Sequence, residues 1–345
     1  MTAGTRTLDV VVIARNEAAR IEACIASVLA ATRERFTDAQ VVIVDSDSTD
    51  GTAAIAAKHP VHVYRYRARR MTAAAGRAIG FKQTAARYVL FVDGDCQLVP
   101  GWLELAIATM DDAPNAGVIC GSRRNAYAGA DGNEFEDAGD SLGGTALYRA
   151  AAFVGTGGFN PFIIAGEEQE LAARIAAAGF QLLRTRAPMS VHNTDRKESP
   201  SGIWRRCRSG MQGGPGQVLR AAWRDGLFWH HARRYNRYVL TALDLGVGLA
   251  CLALALTGRP AALAAWAAIW ILLFLVLAAR RRSLREAAFI VADWISVAAA
   301  GSLAFLRAPA RPETFEYELE RIDRARPVSL AGVRRAADAS GGMPR

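Results

Sequence analysis

Hydrophobic residues in the first hundred positions fall into short continuous runs, separated by stretches in which they recur at helical spacing. Continuous runs of this length are typical of strands covered on both faces in a parallel sheet. The predicted strands are Leu8–Ile13, Val41–Val44, Val61–Tyr66 and Tyr88–Val92, and the predicted helices cover residues 17–31, 52–58 and 73–87. Strands that alternate with helices predict an α/β fold with a mostly parallel sheet.

Polar residues follow three of these strands directly, at Ala14–Glu17, Asp45–Asp50 and Asp93–Asp95. In open α/β sheets, ligands bind beyond the carboxyl ends of the strands. We therefore expect the functional site at the edge of the sheet where the three polar clusters meet.

Long apolar runs, Tyr238–Thr257 and Ala261–Ala279, occur only in the last third of the chain. Each has about 20 residues, which is enough for a helix to cross a bilayer. Gly258-Arg259-Pro260 between them predicts a tight turn. Because arginines precede and follow the pair, the positive-inside rule predicts a transmembrane hairpin with both ends in the cytoplasm. Buried helices of a soluble domain are the alternative interpretation.

Residues 287–306 are also apolar, but they contain Asp293 and Ser296. A third crossing here would export a tail rich in arginine, against the positive-inside rule. We therefore favour an interfacial or re-entrant helix and keep a third transmembrane helix as the alternative. The sequence then divides into a catalytic domain (1–210), a basic juxtamembrane segment (211–237), a membrane region (238–306) and a cytoplasmic tail (307–345), whose last residues are expected to be disordered.

Charge supports an attachment to membranes. The chain of 345 residues has a formal net charge of +9, and arginines cluster between Arg205 and Arg237, just before the first long apolar run. Such clusters favour anionic headgroups on the cytoplasmic leaflet, although an ordinary solvated face is the alternative. Residues 1–17 have no apolar stretch of the kind found in secretory signals, and the five cysteines lack paired or metal-type spacing. We expect a multi-pass protein of the inner (plasma) membrane with a cytoplasmic catalytic domain.

Asp93 and Asp95 are the strongest candidates for chemistry, because they end an apolar strand and Gly94 between them lets the chain bend. Hard carboxylate oxygens suit Mg²⁺ or Mn²⁺, which can neutralise a diphosphate. The spacing alone is unspecific, since Asp45-Ser46-Asp47 repeats it. A polar turn is the alternative.

The segment 41–52 ends a second strand in polar residues. Asp45 is a candidate for a contact to a nucleobase or ribose. Ser48 and Asp50 can serve the same purpose or cap the following helix, and the sequence leaves both roles open.

Four segments together resemble the family 2 glycosyltransferases, in the order of that family and over roughly residues 8–210. They are VVIARNEAARIEACIASVLA, VVIVDSDSTDGT, GRAIGFKQTAARYVLFVDGD and GGFNPFIIAGEEQELAARIAAAGF. The resemblance implies an inverting, metal-dependent enzyme with the GT-A fold, a Rossmann-like nucleotide-diphospho-sugar transferase domain. It also implies a nucleotide-sugar donor, with UDP favoured over GDP as the nucleotide.

The resemblance assigns roles to individual residues. The donor-binding residues that it implies are Ala14, Arg15, Glu17, Asp45, Asp47, Arg77, Asp93 and Gly94. Arg77 matches a basic residue near the diphosphate, although Ala78 stands where the family usually has Asn. The implied metal ligands are Asp93, Asp95 and His192, and a structural histidine is the alternative for the last of these.

Glu167 and Glu168 stand where the family usually has Glu-Asp, whose Asp is the catalytic base. Inversion requires a carboxylate that takes the proton of the acceptor hydroxyl, and burial should raise the pKa of such a group. Which of the two acts is open, and helix capping is the alternative. Gly143 and Gly144 resemble the loop that faces the acceptor. Trp204, Arg205 and Arg206 stand where processive relatives carry Q-x-x-R-W, but the poor match argues against a polymer-extruding synthase.

These observations lead to three hypotheses. The first is transfer of a sugar to a membrane-bound, lipid-linked acceptor in glycan, polysaccharide or glycolipid assembly, with polyprenyl phosphate as a variant acceptor. The second is a nucleotide-sugar sensor without turnover, which the acidic residues argue against. Nucleic-acid binding is disfavoured, because the basic chain lacks interleaved aromatic residues.

Overall fold

The computed structural model describes residues 6–33, 35–126, 142–193, 200–307, 311–323 and 329–334. The expected disorder of residues 337–345 falls outside these described residues. The described chain forms two compact units. The first holds the described parts of 1–163, 167–195 and 310–345, and the second holds those of 164–166 and 196–309.

Within the described residues, the first unit contains one sheet and six α-helices. Its strands are β1 (Leu8–Ala14), β2 (Gln40–Asp45), β3 (His62–Arg67), β4 (Tyr88–Asp93), β5 (Cys96–Leu98), β6 (Ala116–Ala126), β7 (Ala146–Arg149), β8 (Gln181–Asn193), β9 (Tyr317–Arg321) and β10 (Ser329–Arg334). Its helices are α1 (Ile21–Arg33), α2 (Thr52–Ala56), α3 (Ala73–Phe81), α4 (Trp102–Asp112), α5 (Ala150–Gly155) and α6 (Glu167–Ala177).

The sheet confirms the α/β prediction for its centre and corrects it at the flanks. The strand order is β10-β9-β3-β2-β1-β4-β7-β6-β8-β5. Strands β3, β2, β1 and β4 are parallel, as the alternation of strands and helices predicts. However, β7 pairs antiparallel with β4 and β6, and β5 pairs antiparallel with β8. The sheet is therefore mixed rather than mostly parallel.

Close packing of helix on sheet supports this centre. All seven residues of β1 are buried, which explains why its sequence is continuously apolar. Helix α3 approaches the sheet through two glycines. A Cβ at Gly80 would overlap the Val11 side chain, and one at Gly76 would lie 3.2 Å from Ile13. The glycines therefore permit a helix-to-sheet distance that a larger residue would prevent.

The chain returns to this sheet after the apolar helices. Strand β9 pairs antiparallel with β3 over Tyr64–Arg67. Phe315, Tyr317 and Leu319 are each buried, and the Phe315 ring lies 5.3 Å from that of Phe162. The sequence pattern predicts a tail here and no strand, so β9 is a feature that only the structure reveals.

The second unit is helical. Its helices are α7 (Pro200–Ser209), α8 (Gly214–Arg224), α9 (Phe228–Arg234), α10 (Asn236–Leu256), α11 (Ala261–Arg281) and α12 (Leu284–Leu306), with a 3-10 turn at Met211–Gly213. Three of them, α10, α11 and α12, are long and apolar enough to cross a membrane. Asp244 of α10 accepts hydrogen bonds from the indole groups of Trp266 (3.3 Å) and Trp270 (2.7 Å) of α11. Asp244 is the one acid between residues 236 and 281, and the hairpin thus satisfies it internally.

Candidate active site

The carboxyl ends of the central strands bring the predicted residues together. Ala14 at the end of β1 lies opposite Asp45 of β2, and Ile13 lies opposite Asp93 of β4. A Cβ at Gly94 would lie 3.0 Å from the Ala14 Cβ, so glycine lets the loop after β4 pass close to β1. The predicted residues therefore lie together at the edge of the sheet where ligands bind in open α/β folds.

Hydrogen bonds connect the loop after β1 to the loop after β2. Asn16 has a positive φ of 56°, its amide donates to Ser48 Oγ, and its side chain accepts from the Thr49 amide. Asp50 accepts from the amides of Ala18 and Thr52. The structure therefore uses Ser48 and Asp50 to hold the two loops together, and it leaves Arg15 exposed at the surface.

Asp45 is fully buried at the end of β2. Its Oδ2 accepts from the Ser48 amide (3.0 Å) and from Arg65 (3.3 Å). Its Oδ1 is buried without a hydrogen-bond partner among the described residues. A buried acceptor of this kind is costly to leave unpaired, so it is suited to a donor supplied by a ligand. Asp47, by contrast, forms a surface ion pair with Arg67 (3.0 Å).

Arg77 of α3 is the centre of an ion cluster. Its guanidinium donates to Asp93 Oδ1 (2.7 Å) and Glu167 Oε1 (2.8 Å), and it lies 3.3 Å from Glu168 Oε1. The side chain is only 2% exposed, and its guanidinium lies over the Phe159 ring. Arg77 therefore positions the three carboxylates, and it offers little surface for the direct diphosphate contact expected from the sequence.

The two glutamates of the pair have different environments. Both lie in the first turn of α6, where the helix dipole favours negative charge. Glu167 is the more deeply buried, with 6% of its side chain exposed against 14% for Glu168. Burial and the nearby charge of Glu167 raise the pKa of Glu168 to about 7, against the opposing attraction of Arg77. Such a group can accept a proton near neutral pH.

Asp95 and His192 form a second polar cluster, next to the ion cluster of Arg77 in the sequence of the loop after β4. His192 Nε2 lies 3.0 Å from Asp95 Oδ2, and His192 Nδ1 lies 3.1 Å from Asn125 Oδ1. Burial opposes ionisation of Asp95, but the hydrogen bond and charge of His192 hold its pKa below the usual range. The ligand atoms of Asp95, Cys96 and His192 lie within 4.8 Å of one another.

The donor set of this cluster fits a hard or borderline divalent cation. Burial and the charges of Asp93 and Asp95 raise the pKa of the Cys96 thiol well above its ordinary value, which makes the thiol a weaker candidate ligand than the carboxylate and the imidazole. Carboxylate oxygens with one imidazole then remain. That combination suits Mn²⁺ or Mg²⁺ better than a soft metal.

Two further residues lie near these aspartates, Glu17 near Asp95 and Gly144 beside Asp93. Burial and the charge of Asp95 raise the pKa of Glu17, while its bond to Arg20 opposes the shift. Any Cβ at Gly144 would overlap the Asp93 carboxylate. The second glycine of the Gly143-Gly144 pair is therefore required by its contact with Asp93, in addition to any role toward the acceptor.

The remaining sequence candidates lie in the second unit. Trp204 and Arg205 are exposed on α7. Arg206 pairs with Asp293 of α12 (3.1 Å), and Gln212 donates to both Asp293 and Ser296. The two polar residues that interrupt the third apolar run thus have specific partners.

Sequence reasoning missed two contributors, Asn16 and Asn125. Asn16 lies between residues that were chosen, and asparagine's tolerance of positive φ was the available signal. Asn125 orients His192 from β6, and no local pattern points to it, because the contact depends on the pairing of β6 with β8.

Residues 9–153 match the family model described as glycosyl transferase family 2. No curated protein matches the chain. Among solved structures, the chain is similar to the mannosyltransferase PcManGT from Pyrobaculum calidifontis in complex with GDP-Man and Mn²⁺. The identity is 19%, the TM-score is 0.55, and the match covers 87% of this chain and 88% of that one.

A second similar structure is S. aureus TarS 1-349 in complex with UDP-GlcNAc, with 16% identity, a TM-score of 0.49, and coverage of 95% of this chain and 100% of that one. The family model and the structural similarity to PcManGT confirm the predicted fold class. It is an α/β domain of the GT-A type, followed by apolar helices at the C-terminal end of the chain.

Proposed function

We propose that this chain is an inverting, metal-dependent glycosyltransferase that takes a nucleotide sugar as donor and a lipid-linked molecule as acceptor, because residues 9–153 match the family model of glycosyl transferase family 2. The observation that carries the proposal is that one buried arginine joins two groups of acids, the aspartate proposed for the donor side and the glutamate pair proposed to hold the base. Arg77 contacts Asp93 on one side and the Glu167-Glu168 pair on the other. In the proposed reaction, the acids that serve the donor and the acids that serve the acceptor thus share one guanidinium.

On the donor side, we propose that Asp93 and Asp95 hold a divalent cation together with His192. Arg77 binds Oδ1 of Asp93, so Oδ2 is the oxygen that a metal ion would use. A bound cation there would neutralise the charge that develops on the leaving diphosphate. The similar structure of PcManGT contains Mn²⁺ with GDP-Man, which supports this assignment.

The nucleoside part of the donor would lie along the loops after β1 and β2. The unpaired Oδ1 of Asp45 suits a donor N–H of a nucleobase or a ribose hydroxyl. Glu17 and Arg15 border the same edge of the sheet. We propose a UDP- or GDP-sugar as donor, since both nucleobases carry a ring N–H that a carboxylate can read.

On the acceptor side, we propose Glu168 as the catalytic base. Its pKa is raised to about 7, and its side chain is more exposed than that of Glu167. Glu168 would take the proton of the acceptor hydroxyl as the hydroxyl oxygen attacks the anomeric carbon. Arg77 orients the Glu168 carboxylate. Burial and the charge of Glu167 keep the pKa of Glu168 raised.

The acceptor is proposed to be a lipid-linked sugar or a lipid at the cytoplasmic face of the inner membrane. Three apolar helices long enough to span a bilayer and the basic segment before them support this placement. Such an acceptor would share a surface with the enzyme. Direct transfer to polyprenyl phosphate is the variant in which a phosphate oxygen replaces the hydroxyl.

The test is release of nucleoside diphosphate by the detergent-purified protein. UDP- and GDP-sugars are offered with Mn²⁺ or Mg²⁺ and a lipid extract of the host membrane, with Asp95→Asn and Glu168→Gln as matched variants. We expect lipid-stimulated release with one donor, lost in both variants. Absence of release with every donor, together with nucleotide binding that survives Glu168→Gln, would instead indicate a sensor.

A further inference from the structure

The strand that follows the apolar helices restricts how the chain can cross a membrane. β9 is paired with β3 along Tyr64–Arg67, and Tyr317 and Leu319 are buried in the first unit. The chain before α7 and the chain after α12 therefore belong to one folded sheet. A sheet with polar loops and open edges cannot be divided by a bilayer, so the chain must return to the side from which it left.

This return requires an even number of crossings. Three helices, α10, α11 and α12, are each long and apolar enough to span. If all three crossed, β9 would lie on the opposite side of the membrane from β3. At least one of the three helices therefore does not cross.

Polar contacts at the middle of α12 indicate that α12 is the helix that does not cross. Asp293 accepts from Arg206 (3.1 Å) and from Gln212 (3.2 Å), and Gln212 also donates to Ser296 (2.9 Å). These contacts tie the middle of α12 to α7 and the 3-10 turn. Helix α7 exposes Arg205 and Arg208, and charged side chains are costly to place near the centre of a bilayer. The middle of α12 therefore belongs at the depth of these arginines, at the membrane surface.

The contacts between α12 and α10 point in the same direction. A cavity of about 340 Å³ is lined by residues of the first two turns of α10, among them Tyr238 and Leu243, and by residues of the last turns of α12. Residues of α8 and α9 complete its lining. Helix α11 returns the chain to the end where α10 began. A third crossing from that end would carry the last turns of α12 to the level of Leu256, far from Tyr238.

Helix α8 covers the same part of α12. Gly216 packs against the backbone of Gly301 without room for a Cβ. The ring centroids of Trp223 and Phe305 lie 6.4 Å apart, and the Arg220 Cζ lies 5.7 Å from the Phe305 centroid. Trp223 is 59% exposed. A helix with arginines on one face and an exposed tryptophan is typical of the membrane interface.

We propose that the chain crosses the membrane twice, as the hairpin α10–α11, and that α12 lies in the interface together with α7 and α8. These three helices form an interfacial platform whose exposed tryptophans and arginines contact lipid headgroups of the leaflet on the catalytic side. The proposal rests on the membrane attachment proposed above, but it does not depend on the reaction or on the identity of the acceptor.

Labelling of single cysteines tests the number of crossings. Cys207→Ser and Cys251→Ala remove the accessible thiols, since Cys24, Cys96 and Cys120 are buried. Arg259→Cys, Arg281→Cys and Glu318→Cys each then add one exposed thiol. A membrane-impermeant maleimide is applied to intact cells and to everted membrane vesicles of the expression host, with the cysteine-depleted chain as the blank.

We expect the Arg281→Cys and Glu318→Cys variants to react from the same face and the Arg259→Cys variant from the other. Reaction of the Arg281→Cys and Glu318→Cys variants from opposite faces would show that α12 crosses and would overturn the proposal. Reaction of all three variants from one face would overturn it as well, because the hairpin would then not cross. Topology is read without turnover, so failure of the proposed activity would be seen separately.

Depth measurements on the full chain in nanodiscs compare the middles of two helices. Ile271 and Ile295 are the central residues of α11 and α12, and both are exposed enough to label. In the cysteine-depleted chain, we replace each of these isoleucines in turn by a cysteine and attach a spin label to it. The collisions of the label with oxygen and with a water-soluble nickel complex are then measured. We expect the label at position 271 to be deep and that at 295 to be shallow. Equal depth at the two positions would overturn the interfacial placement of α12.

Discussion

Arg77 is the residue on which the arrangement of charges in the site depends. It is buried against Phe159 and faces three carboxylates, so the cluster keeps a net negative charge after pairing. Removing such a buried cation leaves acids that repel one another and lack a counter-charge. The same cluster explains why Glu168, with a pKa of about 7, differs from an ordinary glutamate, whose pKa is about 4.3.

The pH dependence of catalysis follows from this environment. A base acts when deprotonated, so kcat/KM of the free enzyme should rise with pH through about 7 and level off above it. Glu168→Gln should lower the rate roughly 10²–10⁴-fold and keep donor binding. Glu167→Gln removes a repelling charge, so the pKa of Glu168 should fall and the acidic limb should move to lower pH. Profiles of kcat/KM against pH measure both effects, and an unmoved limb in Glu167→Gln would contradict the coupling.

A glycine beside Asp93 provides a second test at this scale. Gly144→Ala adds a Cβ where the Asp93 carboxylate lies, so Asp93 must leave its position or the loop must shift. Because small displacements of catalytic groups can cost on the order of 10²-fold in rate, we expect a loss of that size with little change in folding. Gly155→Ala is the matched control, since nothing lies within 4 Å of a Cβ there. Equal nucleoside diphosphate release by both variants would show that the contact is unimportant.

At the scale of elements, strands differ in how well the sequence predicts them. β1 to β4 could be predicted, because continuous apolar runs such as Leu8–Ile13 occur only where both faces of a strand are covered. β9 could not, because Tyr317–Arg321 is a short alternating segment after a long apolar region. Its place in the sheet comes from a long-range pairing with β3. The same reason hid the contact of Asn125 with His192.

Site residues follow the same rule. The proximity of Asp45, Asp93 and Asp95 could be predicted from the sequence, since each lies at or directly after the end of a central strand. The burial of Arg77 and the unequal environments of Glu167 and Glu168 could not, because they depend on packing between α3, β4 and α6. Local spacing carries no information on such contacts.

Docking of β9 should contribute measurable stability to the sheet. Leu319 is 6% exposed, and Leu319→Ala should cost about 2–4 kcal/mol through lost burial and the cavity left behind. The neighbouring Glu318 is exposed on the same strand, so Glu318→Ala is the matched control with little expected change. Thermal unfolding in detergent, followed by fluorescence, measures the difference. Equal midpoints for the two variants would mean that β9 adds little to the stability of the fold.

For the whole molecule, the proposed attachment changes what concentration means for the acceptor. An enzyme and a lipid acceptor in one surface meet according to the surface density of the lipid rather than its bulk concentration. Adding detergent micelles at fixed bulk amounts of enzyme, donor and lipid acceptor should therefore slow transfer in proportion to the dilution of the surface. Hydrolysis of the donor, in which water replaces the lipid acceptor, needs no lipid. Its rate should not change with the detergent concentration, and it serves as the internal control. A rate of lipid-dependent nucleoside diphosphate release that ignores the detergent concentration would mean that the acceptor reaches the site from solution. The apolar helices would then serve for attachment alone.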